Sequence, residues 1–202
     1  MSSITNYATL QTAVANWLHR TDLTALVPDF ISLAENEMSA DIVARPMEAR
    51  AILTATAGNS YVTLPTDVLE LRRLMVTSDP VSVLSYASPD QISIDFPNSM
   101  VGMPTRFTVI GAQAQLAPIP DTNYSIEITY RQVIPSLSVS NPTNWLLLNF
   151  PNVYLYGAIC AAQPYMMSDE RLPLFKNLYA EAVDKINSVD WCSATTMRVR
   201  AR

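Results

Sequence analysis

The chain of 202 residues is apolar enough to fold and carries no feature of a membrane or export segment. Hydrophobic residues make up 49% of it and charged residues 15%, which excludes a disordered tail and predicts burial of about 70% of the extended chain's surface on folding. No apolar run approaches the roughly 20 residues that span a bilayer, and the first residues lack the basic and apolar regions of a signal peptide. We therefore expect neither a membrane span nor export.

Scarce glycines, histidines and cysteines restrict the candidate chemistry. The four glycines are too far apart for a GxGxxG, GxxxxGK or GxSxG motif. The one histidine, His19, offers a nucleophile and base pair only with Cys160 or Cys192. Two cysteines alone cannot hold a zinc ion, and buried free thiols are favoured over a disulfide between them. We expect no enzyme, no cofactor and no metal.

The charge is divided between an acidic body and a basic end. Residues 1–190 carry 18 acidic and 10 basic side chains, a net charge of −8, whereas residues 191–202 carry three arginines and no acid. Binding in a nucleic-acid groove depends on neutralising phosphates, which an acidic body does not do. Such a body is suited to a surface that must not adhere to DNA.

Two helices are predicted near the start. Residues 8–20 have a helical apolar period, and a second helix begins at Pro28 and ends before Pro46. The apolar stripe of the first is Leu10, Val14, Trp17 and Leu18, and that of the second is Phe30, Ile31, Ala34, Met38 and Ile42. We assign Glu35, Glu37 and Asp41 to solvated faces of the second helix rather than to a metal site.

The middle of the chain is predicted to be a β region. Eleven of the 14 prolines fall between Pro46 and Pro151, which excludes long helices there. Residues 51–56 and 61–64 are predicted to form a hairpin around a turn at 57–60. Further strands are predicted at 69–76, which contains Arg72 and Arg73, and at 81–86, 106–110, 113–117 and 124–133. Ser88 is predicted to cap a short helix through Ile94.

Helices return after residue 140, and they complete an α+β fold. Asn144 is predicted to cap a short helix through Leu148, Pro151 to open a longer one, and a last helix to run from near residue 168 to about 190. The prediction is a helical bundle formed from the N- and C-terminal helices, with an inserted small antiparallel β domain and an extended C-terminal tail. Its segments are a helical hairpin at 1–46, a β lobe at 47–140, the C-terminal helices at 141–190 and a basic tail at 191–202.

The basic tail is the one candidate binding segment. Its last residues alternate basic with apolar side chains, so that an extended strand would present one charged row. It could add to a partner's sheet or lie in an acid-lined groove, and a frayed end without a role is the alternative. Arginine suits bidentate pairing with carboxylates.

Several segments together resemble the head-to-tail adaptor proteins of tailed bacteriophages, also called connector or head-completion proteins. They are YATLQTAVANWLHRTDL, VPDFISLAENEMSADI, YVTLPTDVLELRRLMV, YRQVIPSLS and NWLLLNFPNVYLYGAICAAQPYMMSDERLPLFKNLYAEAV. They cover most of the chain in the order found in the family, and none is a catalytic signature.

The resemblance implies a structural protein of the virion neck, made in the host bacterial cytoplasm. It implies a dodecameric ring that binds beneath the portal ring, continues the DNA channel and offers a docking surface to tail proteins, while the genome passes without specific binding. The C-terminal segment would grip the portal; its residues are Met197, Arg198, Val199, Arg200, Ala201 and Arg202. Tyr154, Tyr165 and Phe96 are candidates for the contact between subunits. Another neck or tail-completion protein, or a virion-associated hydrolase, is the alternative.

Overall fold

The structure, a computed structural model, describes residues 4–20, 22–97, 100–165 and 172–190, without the side chains of Leu172, Val189 and Asp190. The chain divides into two compact units. One contains residues up to Pro46 and from Ile134 onward, and the other is Met47–Val133. Helices and two small sheets occur together, which confirms the α+β class. Within the described residues, no helix has both the length and the apolar character to cross a membrane.

The described residues contain six α-helices and eight β-strands. The helices are α1 Tyr7–Leu18, α2 Val27–Asp41, α3 Pro89–Asp95, α4 Trp145–Asn149, α5 Pro151–Ala161 and α6 Leu172–Asp190. The strands are β1 Glu48–Ala55, β2 Tyr61–Thr63, β3 Val68–Val76, β4 Ser82–Val83, β5 Ser85–Tyr86, β6 Arg106–Ile110, β7 Gln113–Ala117 and β8 Tyr124–Gln132.

Helix α5 is central to its unit, because it contacts the four other α-helices there, α1, α2, α4 and α6. Its sequence is apolar on every side, as is typical of a helix buried all round. Its buried residues are Val153, Tyr154, Leu155, Gly157, Ala158 and Ile159. Gly157 allows α2 to approach closely, since a Cβ there would lie 2.6 Å from Met38 Cε and 3.3 Å from Ala34 Cβ.

The first helix follows its predicted apolar stripe except at Trp17. Asn6 and Thr9 close a reciprocal capping box at its start, and Leu10, Val14 and Leu18 are buried. Trp17 is 45% exposed instead. It lies at the margin of the stripe, where its ring packs edge-on against Tyr156 at 6.3 Å between centroids.

Two four-stranded sheets share one core in the unit Met47–Val133. Their strand orders are β1-β8-β3-β4 and β2-β7-β6-β5. The described strand pairs are antiparallel except for β5 with β6, which is a departure from the predicted antiparallel domain. The core side chains of the first sheet include Leu74, Val76, Ile126 and Ile128, and those of the second include Val62, Phe107, Ala114 and Leu116.

The predicted hairpin around residues 57–60 is wrong. The turn exists, with Gly58 at φ 76°, but it joins strands of different sheets, because β1 pairs with β8 and β2 pairs with β7. Strand β1 has eight residues and β2 has three. Pairing with β2 would therefore have left most backbone groups along β1 without partners, whereas β8 satisfies the whole length.

The predicted strand at 81–86 is also divided between the sheets. Strand β4 pairs with β3 in the first sheet, and β5 pairs with β6 in the second. Leu84, which separates them, is buried in the shared core. The chain thus crosses from one sheet to the other at a single apolar residue.

Candidate interaction surfaces

Glu35 is a buried carboxylate in the helical unit, which corrects its prediction as a solvated side chain. It is 4% exposed. Its Oε1 accepts hydrogen bonds from the backbone N of Leu137 at 2.8 Å and from the hydroxyl of Tyr154 at 3.2 Å. Burial raises the pKa of Glu35, and these donors, together with the hydroxyl of Ser136, oppose the rise. The carboxylate thus satisfies a backbone N–H that has no place in a helix or sheet.

Asn144 extends this network on the other side of Tyr154. Its Nδ2 donates to the carbonyl of Pro135 at 2.8 Å and to the Tyr154 hydroxyl at 2.5 Å. Its Oδ1 accepts from the backbone N of Leu147 at 2.8 Å, which makes it the predicted cap of α4. Asn144 therefore joins the segment after Ile134 to the start of α4.

The three aromatic residues expected at a subunit contact differ in exposure. Tyr154 is fully buried, so its assignment to such a contact is wrong. Burial also raises the pKa of its hydroxyl. Tyr165 is 49% exposed, with its ring 5.3 Å from that of Phe30. Phe96 is half-buried beneath the guanidinium of Arg106.

The residues considered for nucleophilic chemistry are in unfavourable surroundings. His19 is exposed and ends α1 as its C-cap with φ 52°. Cys160 is a half-buried free thiol, and burial raises its pKa, which opposes formation of the reactive thiolate. In the part of the chain that the structure describes, no group of three or more His, Cys, Asp or Glu side chains could hold a metal ion. Cys192 lies outside the described residues.

A largely apolar groove of about 610 Å³ opens on the β unit. Its lining includes Leu69, Tyr86, Phe107 and Val109, with one charged side chain, Arg72. Tyr86 is 67% exposed, and its ring packs edge-on against Phe107 at 5.8 Å between centroids. We call this feature the β groove.

Two β-bulges in β3 direct the side chains of Leu69 and Arg72 to the β groove. The pairing of β3 with β8 skips Leu69 and Arg72, so each is an extra residue opposite a continuous stretch of β8. Such bulges redirect a side chain. Neighbouring residues of a regular strand point to opposite faces. From the sequence, Arg72 and Arg73 were assigned only to a strand. Two adjacent charges are the signal that could have indicated an irregularity there, because a regular strand would point them to opposite faces.

The candidate portal-binding residues lie outside the described residues. They are Met197, Arg198, Val199, Arg200, Ala201 and Arg202. The Glu35 network in one unit and the β groove in the other are each described by the structure, and the tail stays a prediction from the sequence.

Comparison with known families gives one match that spans nearly the whole chain. The sequence model of the family described as SU10 adaptor protein matches residues 5–201. The match includes both compact units. No curated protein matches the chain.

Proposed function

We propose that this chain, which belongs to the SU10 adaptor protein family of phage head-to-tail adaptors, binds beneath the portal ring of the virion as a structural protein of the neck. It self-associates into a ring that continues the DNA channel and presents a docking surface to tail proteins. The observation that carries the proposal is the family match over residues 5–201. The role of an adaptor family is structural rather than catalytic.

The charge distribution supports a passive conduit. Residues 1–190 have a net charge of −8, so the body of each subunit repels the phosphates of a passing duplex. A ring of such subunits lets DNA pass without holding it. We extend the proposal to the dodecamer that the resemblance implies.

The helix contacts support a bundle as the frame of each subunit. Helices α1 and α2 from the start of the chain both pack against α5 from its later part, and α6 packs against α5 as well. The residues Met47–Val133 stand between these stretches in the sequence and form their own unit. We propose that the helices face the portal and that the β unit faces the tail.

The basic tail supplies the proposed grip on the portal. Its three arginines, Arg198, Arg200 and Arg202, alternate with apolar residues. Guanidinium groups form bidentate, charge-assisted hydrogen bonds with carboxylates. An acidic cleft on the portal would therefore hold this segment.

Removal of the tail tests the portal contact. We expect deletion of residues 192–202 to leave the circular dichroism spectrum and the thermal unfolding unchanged and to abolish co-purification with portal rings. Replacement of the three arginines by alanine is expected to weaken portal binding at least about tenfold, since each charge-assisted bond contributes about 1.5–3 kcal/mol. The matched control replaces them by lysine, which keeps the charge and loses the bidentate geometry.

Two results would contradict the proposal. Normal portal attachment and infectious, DNA-filled particles from the truncated chain would exclude the tail as the grip. Electron microscopy of the neck that placed the full chain in a ring other than the one beneath the portal would exclude the position itself.

A further inference from the structure

We propose that the β groove binds helix α3 of a neighbouring copy of this chain. The proposal rests on the ring of the proposed function and names the surfaces that close it. The pairing joins an exposed apolar side chain and a carboxylate on one subunit to an apolar groove with a single cation on the next.

The β groove and α3 lie on opposite faces of the second sheet. Along β6, Phe107 and Val109 point to the groove, so Arg106 and Thr108 point to the other face. That other face carries α3, because Arg106 forms an ion pair with Asp95 at the end of the helix. The cluster of Ile92 with Ala87 and Ala117 agrees with this placement.

Helix α3 presents a compact outward surface. Ile92 is buried against the sheet at 5% exposure, whereas Ile94 is 76% exposed. Asp90 is one helical turn before Ile94 and is also exposed. Residues four apart lie on one face of a helix, so Asp90 and Ile94 form an apolar projection with a carboxylate beside it.

The β groove has the complementary features. Arg72 makes no ion pair with any described residue, and neither does Asp90. Leu69, at 40% exposure, and Val109, at 38%, provide apolar surface next to this guanidinium. An Ile94 side chain can therefore enter the groove while Asp90 pairs with Arg72. This removes apolar surface from water and joins two charges that lack an ion pair among the described residues.

A ring requires a contact between two different surfaces of the chain. Such a contact leaves one of each surface free on every pair, so further copies can add, and they form a ring when the rotation between neighbours closes. A contact of α3 with α3 would stop at a dimer. The positions of the groove and the helix on the two faces of one sheet thus give a contact that propagates.

Charge reversal tests the pairing. The single variants Arg72→Glu and Asp90→Arg are each expected to lower assembly of the chain into rings on isolated portal rings about tenfold, and the double variant Arg72→Glu with Asp90→Arg is expected to restore it. The matched control is Arg73→Glu, which makes the same charge change one residue along, at a side chain whose Nη2 contacts Met75 Sδ at 2.7 Å. It should assemble normally.

Cysteine cross-linking gives an independent readout. Ile94→Cys and Val109→Cys are combined in a chain whose Cys160 and Cys192 are replaced by serine. The two introduced thiols lie on opposite faces of the sheet, so they cannot bond within one subunit. Oxidation of assembled rings is expected to give a ladder of covalent multimers beyond the dimer. Each single-cysteine chain can give at most a dimer.

Other outcomes would overturn the inference. One is that Arg72→Glu assembles into rings as well as Arg73→Glu does. Another is that the double variant assembles no better than the single variants. A third is that the double-cysteine chain forms normal rings but gives no ladder of covalent multimers on oxidation. A strong dimer from Ile94→Cys alone would show that α3 meets α3. Loss of a tail protein from intact Arg72→Glu rings would assign the β groove to that partner. Binding of the parent chain to portal rings, read in the same gel, reports separately on the proposed function.

Discussion

Glu35 shows how a single buried charge is retained at a junction of the chain. Moving a carboxylate out of water is unfavourable, and it is tolerated only where donors replace the lost hydration. Here the donors are the backbone N of Leu137 and the hydroxyl of Tyr154. The side chain holds a returning segment against α2, which is a structural role.

The pH dependence of stability should reveal this group. Because the pKa of Glu35 is raised on folding, the folded protein binds more protons than the unfolded chain between the two pKa values, and the free energy of unfolding falls as the pH rises through that range. We expect Glu35→Gln to remove this contribution. The free energy of unfolding of Glu35→Gln, relative to that of the parent, should increase as the pH rises above the ordinary pKa of a carboxyl group. Urea unfolding at a series of pH values measures this difference.

Two further variants complete this test. Glu35→Ala is expected to lose about 2 kcal/mol, since the buried N–H of Leu137 keeps no acceptor. The matched control is Glu37→Gln, which makes the same substitution at an exposed position of the same helix. A pH dependence of the Glu35→Gln difference that is no larger than that of Glu37→Gln would contradict the assignment.

The apolar side of α2 could be predicted from the sequence, but the burial of Glu35 could not. Ile31, Ala34 and Met38 repeat at helical spacing, and all three are buried as predicted. Glu35 is one helical turn after Ile31 and one turn before Met38, so the spacing puts it beside the apolar side. Its burial still depends on a segment about 100 residues later in the chain, and the spacing does not show that donors from that segment would meet the carboxylate.

At the scale of elements, the close packing of α2 against α5 depends on a missing side chain. The contact is built on Gly157, which faces Ala34 and Met38. The tip of Met38 can move, but Ala34 Cβ is fixed to the backbone of α2. Any larger residue at position 157 therefore has to separate the two helices.

Gly157→Val is expected to lower the free energy of unfolding by about 2 kcal/mol, because overpacking in a core costs about 1–3 kcal/mol and exceeds the gain in helix propensity. Chemical unfolding followed by circular dichroism measures the loss. Ala180→Val, at an exposed position of α6, is the control and should lose about 0.5 kcal/mol. Equal effects of the two substitutions would show that the close approach is unimportant.

Strands were easier to predict than their partners. Strands β6, β7 and β8 were predicted within a residue of their observed bounds, and Ile126, Ile128 and Tyr130 share a buried face as the alternation of the last strand predicts. The partner of β1 is about 70 residues away, so a nearby turn suggested β2 instead. Pairing between distant strands is decided by the fit of whole sheets, which a local turn motif does not encode.

At the scale of the whole molecule, charge separates the body from the end of the chain. The net charge of −8 in residues 1–190 opposes approach of DNA, and the three arginines of residues 191–202 supply too few contacts to reverse it. This balance was readable from the sequence. The β groove was not, since two bulges and two sheets had to be assembled first.

We expect the full chain to bind duplex DNA with a Kd weaker than about 10⁻⁴ M at 150 mM salt, because fewer than four phosphates can be neutralised. Fluorescence anisotropy with a labelled duplex measures this. At about 10 mM salt any residual binding should vanish when residues 192–202 are removed. A micromolar Kd at 150 mM salt would show that the DNA is held rather than passed.

The pairing of β1 with β8 has a mechanical consequence. Glu48 lies opposite Arg131, next to the points where the unit Met47–Val133 joins the rest of the chain. A force that pulls these two connections apart would open the ladder from that end, one residue pair at a time, instead of shearing every bond at once. Tension along the backbone therefore meets little resistance there. In the proposed ring, a load on the particle would therefore be borne by the side-chain surfaces between neighbouring copies.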